Sequence, residues 1–115
     1  MTLPTDSHER KQYPIITGVL DYFPDAIAEV AYVSWVGNEK HNPGEPLHWA
    51  RGKSMDQEDC IGRHTIERDG FETVVLPDGR TFRIRHLAAR AWRALAALQL
   101  QCEADGAPMS RGSQE

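Results

Sequence analysis

Residues 87–103 read LAARAWRALAALQLQCE, and this stretch decides the fold class. Apolar side chains recur in it at the ~3.6-residue spacing of one helical face. The residues on that face are Leu87, Ala91, Leu95, Leu98 and Cys102, with Trp92 beside them. Gly106 follows as a stop signal. The pattern predicts a long amphipathic helix, from Leu87 to about Glu103, as the last element of the domain.

Two further helices are predicted upstream of this segment. The first runs from Asp25 to about Lys40, because Pro24 and Asp25 suit a first helical turn and an apolar stripe follows at helical spacing. The stripe consists of Ile27, Val30, Ala31 and Ser34. The second runs from Ser54, which forms a capping box with Gln57, to about Arg68.

Between the second and the last helix, residues 72–84 (ETVVLPDGRTFRI) change character. Two short β-branched or aromatic runs flank Pro77-Asp78-Gly79, which is the pattern of a β-hairpin. A two-stranded ribbon is only marginally stable alone, so it must pack against the helices. The prediction is a mainly α fold, a small helical bundle with one short β-hairpin before the last helix.

The 115 residues predict a single domain, with an ordered core over about 14–105 and flexible ends at 1–12 and 106–115. No apolar run approaches the ~20 residues of a membrane span, and the N-terminus has no secretory h-region. Cys60 and Cys102 are not in a CxxC pair, which favours free thiols in a reducing cytoplasm. The formal charge of −4 argues against a nucleic-acid backbone binder.

Three carboxylates, Asp56, Glu58 and Asp59, stand together at the start of the second helix. They suit the positive end of a helix dipole in solvent, and they also suit the binding of a hard cation such as Mg²⁺ or Mn²⁺. In the second case Glu29 and Glu39 on the first helix are the available partners.

The loop at residues 42–53 (NPGEPLHWARGK) carries hydrogen-bond donors and one large ring. Trp49 either stacks on a purine or covers the core. Basic side chains flank the acidic cluster, and they are either ordinary solvated residues or the surroundings of a metal-triphosphate site. These side chains are Lys40, Arg51, Lys53 and Arg63. His64 and His86 also fit a structural hydrogen-bonding role.

Two segments resemble a family of phage and bacterial dATP/dGTP diphosphohydrolases, which are all-α nucleoside triphosphate pyrophosphohydrolases of the MazG type. They are residues 26–64 (AIAEVAYVSWVGNEKHNPGEPLHWARGKSMDQEDCIGRH) and residues 86–99 (HLAARAWRALAALQ). The resemblance implies a purine deoxynucleoside triphosphate substrate, release of pyrophosphate, and Mg²⁺ or Mn²⁺ bound by ExxE and ExxD motifs. Glu29 matches the first acid of the ExxE motif, whereas Tyr32 stands where the second would be.

The resemblance assigns roles to the candidate residues. The catalytic candidates are Glu29 and Asp59. The metal-ligand candidates are Glu29, Glu39, Asp56 and Asp59. The substrate-binding candidates are Lys40, Asn42, His48, Trp49, Lys53, Arg63 and His64.

An alternative remains open in another class, a non-catalytic module that binds a nucleotide or a host protein without hydrolysis. For either function a homodimer or homotetramer is expected. Members of the family assemble, and so short a bundle cannot cover both the Ile27/Val30 stripe and the Leu95/Leu98 stripe.

Overall fold

The computed structural model describes residues 3–53 and 55–113. The α-helices in these ranges are α1 (Ser7–Arg10), α2 (Pro24–His41), α3 (Gln57–Ile66) and α4 (His86–Ala104). The strands are β1 (Phe71–Val75) and β2 (Thr81–Arg85). Short helical turns lie at Ile16–Leu20, Arg51–Lys53 and Arg111–Ser113. The predicted mainly α fold, with a hairpin directly before the last helix, is confirmed.

The predicted bounds of α2 and α4 are correct to within one residue at each end. Pro24 occupies the first turn of α2, where its missing N–H is harmless. Beyond α4, Gly106 has a φ of +113°, a conformation that favours glycine over residues with a side chain.

The prediction for α3 is wrong at both ends, because the helix begins at Gln57 and ends at Ile66. Asp56 occupies the N-cap position, but its carboxylate makes no capping hydrogen bond. It accepts instead from the Arg63 guanidinium, 3.1 Å away and two turns further along the helix. Ser54, the first residue of the predicted capping box, lies outside the described residues.

The hairpin pairs β1 and β2 in antiparallel register, from Phe71 opposite Arg85 to Val75 opposite Thr81. Gly79, with a φ of +89°, makes the turn, which the Leu76 N–H closes by donating to the Arg80 carbonyl at 2.9 Å. Along β1 and β2 one face is buried and the other is exposed, because side chains alternate in a strand.

The core lies where the hairpin packs against α2 and α4. Its buried members are Val36, Val74, Leu76, Ile84 and Ala89. On α4 the buried apolar side chains are alanines, which allow close approach of the neighbouring elements. Leu95 and Leu98, by contrast, are 52% and 61% exposed. The apolar face identified from the sequence of α4 is therefore its outer face.

The chain after α4 returns to the loop between α2 and α3. The Trp49 N–H donates to the Gly112 carbonyl at 2.8 Å, and Ser113 is buried. Residues 106–113 thus pack on the domain. None of the helices in the described ranges combines the length and the apolar character that a bilayer span requires.

Candidate functional site

A pocket of about 450 Å³ opens between α2, the loop that follows it, the hairpin and α4. We call it the ligand pocket. Its apolar wall is an extension of the core and consists of Val33, Val36, Val74, Ile84 and Ala89. The volume falls within the range of roughly 300–1,000 Å³ that is usual for small-molecule sites.

Two tryptophans form an aromatic corner of the ligand pocket. The rings of Trp49 and Trp92 meet edge to face, with centroids 5.9 Å apart. The Trp92 indole N–H donates to the Ser34 hydroxyl at 2.7 Å, which fixes the ring on α4 against α2. The Arg51 guanidinium lies over the Trp49 ring, 4.3 Å from its centroid. This corner presents aromatic surface held by packing on two helices and one loop.

The loop that carries Trp49 is held by an ion pair between Arg51 and Glu103, close to the end of α4. Both guanidinium NH₂ groups donate to the Glu103 carboxylate. The carboxylate also accepts from the Gln99 amide at 2.8 Å and from the Ser110 N–H at 3.2 Å. The bonds from Arg51 and then from Gln99 lower the pKa of Glu103 to about 2.

Five of the seven predicted substrate-binding residues line the ligand pocket. They are Lys40, Asn42, His48, Trp49 and His64. The first four lie close together in the chain, at the end of α2 and in the loop after it, whereas the tertiary structure brings His64 of α3 to them. Arg93 on α4 also lines the pocket, although the sequence analysis did not identify it. The sequence signal that could have pointed to Arg93 was its position as a cation directly after Trp92.

Asn38 is a second pocket residue that the sequence analysis missed. It is buried in α2, and its side-chain NH₂ donates to the Glu45 carbonyl at 2.8 Å. Because a carbonyl only accepts, this bond sets the orientation of the amide. Within the described residues the Asn38 Oδ1 atom has no hydrogen-bond partner. A buried acceptor without a partner is uncommon and calls for a donor from a ligand or water.

The structure does not assign the other two predicted substrate-binding residues to the pocket wall. Arg63 is exposed on α3 and pairs with Asp56. The Lys53 side chain lies outside the part of the structure that is described. No role in the ligand pocket is therefore assigned to either residue.

The four predicted metal ligands do not form one site. Glu29 pairs with Arg85 at 2.9 Å, Glu39 with Arg80 at 2.7 Å, and Asp56 with Arg63 at 3.1 Å. Asp59 lies in the first turn of α3, beside an open groove against α4. Across the described residues, no three of these acids come close enough to share an ion.

These acids do not fit the expected Mg²⁺ or Mn²⁺ site. An arginine beside a carboxylate neutralises its charge and occupies the oxygens that a cation would need. The expected catalytic residues Glu29 and Asp59 also stand outside the residues that line the ligand pocket.

A different cluster of possible ligands lies at the edge of the ligand pocket. His64 from α3, Glu72 from β1 and His86 from α4 each offer one atom within 4.8 Å of the others. The two Nδ1 atoms of the histidines are 2.9 Å apart. Burial is the main cause that lowers the pKa of His64. The Glu72 carboxylate opposes it with the next largest effect, and the nearby His86 and Arg93 add smaller decreases. The sequence analysis left both histidines open to a structural role and did not include Glu72 among the predicted metal ligands.

Comparison with known proteins finds no relative that would indicate a function for this chain. No family model matches the chain, and neither a curated protein nor a solved structure matches it. The resemblance to MazG-type pyrophosphohydrolases therefore stays a prediction.

Proposed function

We propose that the chain binds a nucleoside triphosphate in the ligand pocket and hydrolyses it to the monophosphate and pyrophosphate. The observation that carries this proposal is that five residues, chosen from the sequence for nucleotide binding, line one pocket. Four of them lie at the end of α2 and in the loop that follows it, and the fold brings His64 of α3 to the same pocket. A purine deoxynucleotide, dGTP or dATP, is the preferred substrate that the resemblance implies.

The chemistry of the pocket suits a base at one end and phosphates at the other. A purine packs on the apolar wall and against the Trp49 ring. The unpartnered Asn38 Oδ1 is an acceptor for a base amino group, and both adenine and guanine carry one. Lys40 and Arg93 supply positive charge for the phosphates.

In the proposed reaction a water oxygen attacks the α-phosphorus and the bond to the β-phosphate oxygen breaks. Pyrophosphate leaves, and the proton of the water passes to solvent or to a pocket base. Cationic side chains stabilise the charge that develops on the leaving group. Mg²⁺ or Mn²⁺ enters as part of the substrate, bound to the triphosphate, because the four predicted acids do not gather to hold it.

The test is an assay of pyrophosphate release from dGTP, dATP and the pyrimidine triphosphates, each with Mg²⁺ or Mn²⁺. Equimolar dGMP and pyrophosphate are expected from dGTP. Replacing Trp49→Leu is expected to raise KM by ~10-fold, because a stacked base loses its aromatic partner. Trp35→Leu is the matched control, since Trp35 is 40% exposed and outside the pocket wall. Absence of both turnover and nucleotide binding would refute the proposal.

A second function is favoured by the ion pairs of the predicted acids. If Glu29, Glu39 and Asp56 serve only to pair with arginines, the chain binds a nucleotide as a non-catalytic module. Calorimetry distinguishes the two functions. Saturable binding of dGTP at one site per chain, without release of pyrophosphate over hours, supports the module and excludes the enzyme.

A further inference from the structure

The cluster of His64, Glu72 and His86 has the composition and spacing of a metal site. Three elements converge on it, namely the last turn of α3, the second residue of β1 and the first residue of α4. Two ligand nitrogens that each lie ~2.1 Å from one metal ion are separated by roughly 3 Å at a right angle and by roughly 3.4 Å at a tetrahedral angle. The 2.9 Å between the Nδ1 atoms of His64 and His86 is close to the first value, and a small side-chain movement reaches the second.

The surroundings of His86 add a second feature of metal-binding histidines. The residue is 7% exposed, and its Nε2 atom lies 3.8 Å from a carboxylate oxygen of Glu67. A metal-bound imidazole usually directs its other ring nitrogen at a carboxylate or carbonyl, which fixes the ring and its tautomer. The 3.8 Å separation is longer than a hydrogen bond, but a proton on Nε2 would face Glu67 and would leave the Nδ1 lone pair toward His64, available to a cation.

A hydrogen-bonded histidine pair without a metal is the simpler explanation of the same contact. It accounts for the short Nδ1 separation, because one proton shared between two imidazoles gives such a distance. It does not account for the third member, the Glu72 carboxylate, which comes within 4.8 Å of both ligand nitrogens from the hairpin.

We propose that His64, Glu72 and His86 bind one divalent first-row transition-metal ion, of the Zn²⁺, Co²⁺ or Mn²⁺ class. Two imidazoles and one carboxylate suit these ions, whereas Mg²⁺ and Ca²⁺ prefer sites made of oxygen ligands. Three protein ligands leave at least one coordination position for water or substrate. His64 and Glu72 both line the ligand pocket, so this position is expected on the pocket side.

This site is independent of the four acids that the resemblance suggested, and the binding of the metal does not depend on the proposed function. One consequence does rest on it. If the pocket holds a nucleoside triphosphate, an ion at this site is placed to bind a phosphate oxygen or a water. The reason is that the metal ligands His64 and Glu72 line the same pocket as the proposed nucleotide-binding residues.

The experiment measures metal binding to the full chain without nucleotide. Metal-free protein is titrated with Zn²⁺ by calorimetry and with Co²⁺ by visible absorption, in the presence of excess Mg²⁺. One ion per chain is expected, with a dissociation constant in the micromolar range or below. The replacements Glu72→Gln and His64→Asn are each expected to weaken binding by at least ~10-fold and to reduce the Co²⁺ absorption band.

Matched controls are His48→Asn and Asp59→Asn, which change a histidine and an acid outside the cluster. Both are expected to bind Zn²⁺ as tightly as the unaltered chain. Circular dichroism establishes that each variant is folded, and two ligand variants are used so that one unfolded protein does not decide the result. The proposal is overturned if the unaltered chain does not bind Zn²⁺ or Co²⁺, or if folded Glu72→Gln and His64→Asn proteins bind them normally. Because no nucleotide is present, failure here leaves the hydrolase proposal standing.

Discussion

The guanidinium group of Arg51 and the carboxylate of Glu103 form a two-bond ion pair that joins the pocket loop to the end of α4. The two side chains are 20% and 13% exposed. Since Arg51 also covers one face of Trp49, the position of the aromatic pocket wall depends on a contact outside the pocket. Ser110 adds a further acceptor for Arg51 at 3.0 Å, which includes the C-terminal segment in the same network.

Replacing Arg51→Ala is expected to loosen the loop and to expose Trp49. The midpoint of thermal unfolding should fall by about 5 °C, and the affinity for dGTP should fall with it, since Trp49 loses its support. Differential scanning calorimetry and fluorescence titration measure the two effects. Arg51→Lys is the control that keeps the charge but not the two-bond geometry, so an intermediate value is expected. An Arg51→Ala protein with unchanged stability and affinity would contradict this account of the loop.

The low pKa of Glu103 predicts a pH dependence of stability. Its folded-state value is about 2 against an ordinary value of 4.5, mainly because of the bonds from Arg51. A depressed carboxyl pKa contributes stability that is present above the unfolded value and is lost as the pH falls through the folded value. The contribution of Glu103 should therefore be complete above about pH 4.5 and decline toward about pH 2.

Urea unfolding of the unaltered chain and of Glu103→Gln, followed from about pH 7 downward, measures this contribution. The difference between the two midpoints should be constant at neutral pH and shrink below about pH 4.5. Effects of the other carboxyl groups are common to both proteins and cancel. A difference that persists unchanged in acid would show that the Glu103 charge is not the source of the stability.

Adjacent valines on β1 provide a test of the core. Val74 is 8% exposed and belongs to the core, whereas Val75 is 61% exposed on the opposite face of the strand. Val74→Ala is expected to lower the free energy of unfolding by about 2 kcal/mol, through lost burial and a small cavity. Val75→Ala should lower it by less than half as much, since it changes mainly strand propensity. Equal losses in urea unfolding would mean that the alternation along β1 is wrong.

The exposed leucines of α4 bear on the predicted homo-oligomer. Leu95 and Leu98 stand at adjacent turns of the outer face, and such apolar surface is often covered by a second subunit. Light scattering of the unaltered chain should give the mass of a dimer or tetramer. Leu98→Glu should shift the mass toward the monomer, because a charge would be buried in the interface. Ile66→Glu, at an exposed apolar position on α3, is the control. If light scattering gives the mass of a monomer for the unaltered chain, the prediction of a homo-oligomer is wrong.

The fold was accessible from the sequence wherever a pattern is local. The periodic runs that became α2 and α4, and the Pro77-Asp78-Gly79 turn between two β-rich runs, depend on neighbouring residues only, and all were located correctly. The start of α3 was misplaced because its acidic first residues suit several backbone states. In the structure Asp56 bonds to Arg63, a contact that no capping rule anticipates.

The candidate site divides in the same way. Residue type and position singled out Lys40, Trp49 and His64, and these do line one pocket. The acids were chosen by type alone, but whether a carboxylate is available to a metal depends on its nearest cation. For Glu29 and Glu39 that cation lies on the hairpin, more than 40 positions away in the chain. The Arg85 and Arg80 partners could not be identified without the packing of α2 against the hairpin.

The sequence was sufficient to locate α2, α4, the hairpin and the loop that carries the pocket residues, because helical period, strand alternation and turn chemistry act over a few residues. The tertiary structure alone decided which face of α4 is buried, since the small alanines pack inward and the leucines face outward. It also decided that His64, Glu72 and His86 meet, because α3 packs against α4 and β1 pairs with β2, the strand that leads into α4. Such contacts depend on how elements pack together, which no local pattern encodes.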